Sequence, residues 1–124
     1  METMPIDIKI RKLGANLAVV ELIGDCDLYT TPKAKQAIVE LIEQGYVFLA
    51  VVLEKTAYMD STALGMLVGS LKRVREHKGD LALVAPQPRV QRLLDITRLT
   101  TVFDVSATEE SAIESLRQRG AKVP

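Results

Sequence analysis

Asp60, Ser61 and Thr62 place two small hydroxyls directly after a carboxylate, at the point where an apolar run gives way to helical periodicity that begins with Leu64 and Gly65. The chemistry this pattern suits is acceptance of a phosphoryl group. The first backbone N–H groups of a helix have no partner within it, and the helix dipole favours negative charge there, so a phosphate on Ser61 has donors waiting. The ordinary role of Asp or Ser ahead of such a run is to cap the helix. Thr62 is a second hydroxyl, but its β-branch and inner position suit packing, which puts Ser61 ahead of Thr62 as the acceptor.

The composition narrows what such a site could serve. Sixteen basic and sixteen acidic residues balance over the 124 residues, so no global field exists to hold nucleic acid or an anionic membrane. Trp is absent and aromatics are few, which removes the usual stacking platform for single-stranded nucleic acid or sugars. His77, the single histidine, belongs to the basic run Lys72, Arg73, Arg75, His77, Lys78 and reads as a solvated helix end that complements the dipole. No cluster of His and Cys could hold a metal, no cofactor motif is present, and no nucleophile has a base in its local motif, so no catalytic residues are assigned and an enzyme is not expected. Cys26 stands alone, which excludes an internal disulfide. With no apolar signal segment, the chain reads as cytoplasmic. Its apolar stretches are strand-sized, short of the roughly 20 residues that span a bilayer.

The elements that must position Ser61 follow from periodicity. Ile6, Ile8 and Ile10 alternate with charged residues, and residues 17–23 form a second apolar run beyond Gly14, which predicts a β-hairpin. Residues 24–31 make a polar loop, after which Thr31 as cap and Pro32 at the first helical position start a helix that runs to about Gln44, with Ala34, Ala37, Ile38, Leu41 and Ile42 on its buried stripe and Gly45 as stop. Residues 47–53 are continuously apolar and read as a central strand. A second helix follows Asp60, with Leu64, Leu67, Val68, Leu71 and Val74 facing the core and Gly79 ending it. Residues 81–84 form another strand, Pro88 opens a third helix with Val90, Leu93, Leu94 and Thr97 on one face, and residues 102–105 form the last strand. Ser106 with Glu109 suits a capping box for a fourth helix carrying Ala112, Ile113 and Leu116. Residues 1–4 and 120–124 are expected to fray. The sum is one α/β domain over 1–124, with a mixed central sheet packed against about four helices.

Three segments in this order resemble the STAS family (sulphate transporter and anti-sigma factor antagonist), and within it the stand-alone bacterial antagonists. Gly24 to Thr30 is similar to the family's Gly-Glu-apolar-Asp-x-x-Thr loop, Met59 to Gly65 to its Met-Asp-Ser-Ser/Thr-Gly-Leu-Gly motif, and Leu93 to Phe103 to the stretch that ends its third helix. The resemblance implies a STAS-like fold in which Asp27, Asp60 and Ser61 share one surface. It also implies a switch. The unmodified protein would bind an anti-sigma factor and free a sigma factor, that anti-sigma factor would be an ATP-dependent kinase acting on Ser61, and a metal-dependent serine phosphatase would reset the protein. The implied partner-binding residues are Asp25, Asp27, Tyr29, Thr30, Asp60, Ser61, Thr62, Leu64 and Gly65. A weak homodimer is also compatible with it. The alternative is a scaffold or regulatory subunit of a stress-signalling or transport complex that uses the same surface without phosphorylation.

The chain departs from the family pattern at several positions. Asp25 stands for the usual Glu, Cys26 for an aliphatic residue, Ala63 for Gly, Arg98 for the Gly that often ends the third helix, and Val52 for a frequent Asp or Asn. If that polar residue helps receive the phosphoryl group, Val52 weakens phosphorylation and spares binding. One phosphate is enough for a switch: unit charges about 6 Å apart at an effective dielectric near 20 interact by roughly 3 kcal/mol, about a hundredfold in affinity.

Overall fold

A computed structural model describes residues 5–123. Strands β1 (Asp7–Lys12) and β2 (Leu17–Ile23) pair antiparallel with Ile8 opposite Leu22 and Lys12 opposite Ala18. Strands β3 (Phe48–Val52), β4 (Asp80–Val84) and β5 (Asp104–Ser106) then add in parallel, giving the order β1-β2-β3-β4-β5. Helices α1 (Thr31–Glu43), α2 (Ser61–Glu76) and α3 (Pro88–Ile96) make the crossovers, and α4 (Glu109–Gln118) follows β5.

This order dictates the layers. When each parallel strand is added beyond the last through a right-handed crossover, every connecting helix lies on the same face of the sheet. Accordingly α1, α2 and α3 pack on the face carrying Ala18, Val20, Leu49, Val51, Leu81 and Leu83. The other face, with Leu17, Val19, Phe48, Ala50, Ala82 and Val84, is covered by Ala112 and Leu116 of α4. β3 and β4 are buried along their whole length, as apolar strands covered on both faces are; the one charged member, Asp80 at the start of β4, is paired with arginines.

The helix ends differ from the sequence reading in ways that have physical causes. Thr30, not Thr31, occupies the N-cap of α1 and turns its hydroxyl into the preceding loop. Gly45 does stop α1: at φ +97°, it sits in the left-handed conformation while the Tyr46 N–H reaches back to the Leu41 carbonyl. Gly79 plays a different part. Lys78 takes the left-handed position after α2 (φ 62°), and Gly79 is needed because a Cβ there would stand 1.9 Å from the Val47 carbonyl oxygen. Arg98 is also left-handed, at φ 60°, and a short 3-10 turn, Leu99–Thr101, follows it. Val102 and Phe103, expected to begin the last strand, instead donate their N–H groups back to the Leu99 carbonyl, so β5 covers Asp104–Ser106. Ser106 therefore ends a strand, and α4 is capped instead by Thr108, whose hydroxyl accepts from the Ser111 N–H at 3.1 Å.

Beyond α4 the chain runs back along the sheet. Ala121 is buried against the α4 face, and the Lys122 N–H donates to the Asn16 side chain at 2.7 Å. Residues 1–4 and Pro124 lie outside the described residues.

The two residues after α2 should thus respond oppositely to substitution. Gly79→Ala should lose about 3 kcal/mol or more, since the clash is with backbone, whereas Lys78→Gly should be neutral or stabilising by up to about 1 kcal/mol. Urea unfolding midpoints of both variants check this, and a milder effect at Gly79 than at Lys78 would return Gly79 to the role of helix stop.

Candidate functional site

Two loops leave the carboxyl ends of neighbouring parallel strands, residues 24–30 after β2 and residues 53–60 after β3, and they are stitched to each other by backbone. The Gly24 N–H donates to the Lys55 carbonyl at 3.0 Å, Cys26 N–H to Tyr58 carbonyl at 2.9 Å, and Asp60 N–H to Cys26 carbonyl at 3.1 Å. The last two bonds form an isolated parallel bridge between Cys26 and Met59. Beneath them the fully buried Thr56 hydroxyl donates to the Leu22 carbonyl at 2.8 Å. The second loop thus rests on the end of β2.

The first loop is shaped by its own side chains. One Asp27 carboxylate oxygen accepts the N–H groups of Tyr29 and Thr30 at 2.8 and 3.0 Å, and the Thr30 hydroxyl accepts the Asp27 N–H at 3.0 Å while donating to the Asp25 carbonyl at 2.7 Å. This reciprocal pair makes a helical turn that runs into α1. The Thr30 N–H foremost, with Tyr29 N–H and the Thr30 hydroxyl, holds the Asp27 carboxyl below its ordinary pKa. Because the folded-state value is lowered, the stabilisation this carboxylate gives is present above about pH 4 and is lost as pH falls through the depressed value.

Asp60 joins the two loops to α2. As N-cap, one of its carboxylate oxygens accepts the Ala63 N–H at 3.0 Å, while the other accepts the Leu28 N–H at 2.9 Å across 32 residues of sequence. Ser61 is left as the first residue of α2, exposed, and Thr62 beside it is exposed too. With the Ala63 and Leu64 N–H groups both taken by Asp60, the Ser61 and Thr62 N–H groups are the helix donors still open to an added anion.

Asp25, Asp27, Tyr29, Asp60, Ser61, Thr62 and Gly65 are brought together at this end of the sheet. Leu64 is not among them: it is 7 % exposed and packs in the core beneath α2. Thr30 is likewise buried and acts inside its loop. Gly65 is exposed and a Cβ there would meet open space, so the fold itself does not require glycine at this position. Val52, the last residue of β3, is buried on the sheet face that α4 covers, opposite the face on which α2 packs. Sequence reasoning missed Leu28 and Tyr58. Leu28 and Tyr29 form the loop tip, at 59 % and 71 % exposure, and Tyr58 stands out of the bridged loop. The available signal was an apolar pair inside an otherwise polar capping sequence.

Cys26, buried in the bridge, is pushed up to about 12 by desolvation first and then by Asp27, Asp25 and Asp60. The thiolate is therefore suppressed, and the residue packs as a small apolar group. No group of His, Cys, Asp and Glu suited to a metal occurs among the described residues, and none of their helices is long and apolar enough to cross a membrane.

Residues 8–112 match the STAS domain model. The chain belongs to the STAS family. It is 36 % identical over 111 residues to the anti-sigma-B factor antagonist of Bacillus subtilis, covering 90 % of this chain and 100 % of that one. The unphosphorylated form of the anti-sigma factor antagonist SpoIIAA superposes with a TM-score of 0.80 at 23 % identity, over 90 % of this chain and 97 % of the other. The phosphorylated form of Bacillus SpoIIAA also has this fold, with a TM-score of 0.72 at 22 % identity over 90 % and 100 % of the two chains.

Two outcomes follow from this STAS site. In Asp60→Asn the amide has one acceptor where the carboxylate has two, so either Ala63 or Leu28 loses its partner. The cost should be about 1 kcal/mol, with faster hydrogen exchange at the Leu28 amide, and unchanged exchange there would reduce Asp60 to a plain cap. Native Cys26 should resist a thiol reagent at pH 8 and react fully once urea unfolds the chain; rapid native labelling would contradict its burial.

Proposed function

We propose that this STAS domain is an anti-sigma factor antagonist whose binding is switched by phosphorylation of Ser61. The unmodified protein binds an anti-sigma factor and thereby frees a sigma factor in the cytoplasm. The same anti-sigma factor acts as the ATP-dependent kinase for Ser61, and a metal-dependent serine phosphatase restores the binding form. One observation carries this reading. Asp60 is fully engaged by the Leu28 and Ala63 N–H groups, and it holds an exposed, reactive-sized hydroxyl at the start of α2 beside the exposed Leu28 and Tyr29.

The electrostatics favour a local switch. A phosphate adds about −1.5 to −2 charges, and at the first turn of α2 the helix itself accommodates it. A partner docked over the Leu28–Tyr29 tip and Ser61 would meet that charge and its bulk at the centre of the contact. The fold is retained while the partner leaves. The similarity to the anti-sigma-B factor antagonist of Bacillus subtilis supports the class of partner.

Ser61→Ala should fold normally, take up no phosphate from the purified cognate kinase with ATP, and bind that kinase within about twofold of the wild type even when ATP is present. Phosphorylated wild type should keep its melting temperature and lose about a hundredfold in affinity, roughly 3 kcal/mol. Phosphate incorporation into Ser61→Ala would move the acceptor to Thr62, and equal affinity of both forms would favour a scaffold that is not switched.

A further inference from the structure

A groove of about 360 Å³ opens between α3 and the bridged loop, lined by Tyr58, Met59, Arg89, Arg92, Leu93 and Ile96. On α3 the residues Arg89, Arg92 and Ile96 recur at helical spacing on an exposed face, and Leu93 forms the floor between them and the core against which it packs. Val90, buried at the base of the groove, and Leu94 anchor the helix to the core. Ile96 is 72 % exposed and Tyr58 42 %, a pair of large apolar side chains that α3 and the loop leave uncovered.

The charge on this groove has one sign. Neither Arg89 nor Arg92 has an ion-pair partner among the described residues, whose ion pairs lie at Arg11, Arg75, Arg117 and Arg119. The carboxylate of α3 itself, Asp95, is held by the Gln91 side chain at 3.0 Å instead. The groove is also continuous with the phosphorylation site. Met59 lines it, Asp60 follows, and Ser61 begins α2, so the groove wall and the acceptor lie within about 7 Å along the backbone.

We infer that this groove, formed by Tyr58 and Met59 against Arg89, Arg92, Leu93 and Ile96, receives an acidic amphipathic segment of the anti-sigma factor, one apolar side chain seated between Tyr58 and Ile96 with flanking carboxylates on the two arginines. This deepens the proposed function and rests on it. Charge complementarity selects such a segment over a basic or neutral one, and two uncovered apolar side chains around a shallow cavity supply an anchor point. The arrangement also explains the sign of the switch. A segment rich in carboxylates, drawn to the arginines, is repelled by a phosphate on the neighbouring Ser61.

Isothermal titration with the purified cognate anti-sigma factor tests this. Arg92→Glu and Ile96→Asp should each weaken binding at least tenfold, with melting temperatures near the wild-type value. Wild-type affinity should fall as salt rises, and Arg92→Glu should flatten that dependence. Arg117→Glu, the same reversal on α4, should leave affinity within twofold. If the wild type binds and both groove variants bind equally well, the groove assignment is wrong. Sedimentation that reveals a wild-type dimer lost in Ile96→Asp would give the groove to a second copy and overturn the inference. If the wild type itself fails to bind, the functional reading falls first, and the groove assignment with it.

Discussion

The carboxylate of Asp60 is the joint on which this end of the molecule depends. One oxygen caps α2 through Ala63 and the other holds Leu28 at the tip of the first loop. Both oxygens are therefore committed to backbone, and the adjacent Ser61 hydroxyl is presented by geometry fixed at two points. A neutral amide has the shape for this joint but only one acceptor. The carboxylate's value here lies in its two acceptors as much as in its charge.

Around that joint the STAS domain divides its labour between the two ends of the sheet. At the amino ends of the strands, Asp80 is buried and paired with Arg119, which caps the end of α4, and with Arg75 of α2, and Asp104 accepts from Ser115. These contacts fasten α2 and α4 to the sheet at the end opposite Asp60 and Ser61. A buried carboxylate needs such partners. At the carboxyl ends, by contrast, the loops spend their polar groups on one another and leave Leu28, Tyr29 and Ser61 facing outward. A phosphate added there changes the surface while leaving the fastening at the far end untouched.

The loop containing Tyr58 and Met59 connects both surfaces discussed above. Its backbone is bridged to Cys26, its Tyr58 borders the α3 groove, and its last residue, Asp60, caps α2. The bridge is packed tightly enough that Cys26 behaves as an apolar filler rather than a thiol, consistent with its strongly raised pKa. The bridge sets the spacing between Ser61 and the groove, so a phosphate placed on Ser61 would act on the groove at short range.

The sequence by itself determined the order and type of the elements, the buried character of β3 and β4, and the place of Ser61 at a helix start, because hydrophobic period and capping chemistry are local properties. It also gave Asp27 and Asp60 as neighbours, through resemblance. What it did not determine were features set by contacts between distant residues. Gly79 looked like a helix stop, yet the Val47 carbonyl is what excludes a side chain there. Ser106 looked like a cap, but pairing with β4 made it part of β5 and passed the cap to Thr108. Leu64 lay at a spacing shared by core and surface, and only the packing of α2 on the sheet decided for the core. The second hydrogen bond of Asp60 spans 32 residues; no local pattern encodes an acceptor for Leu28, because that acceptor exists only once two loops have been brought side by side by the parallel pairing of β2 with β3.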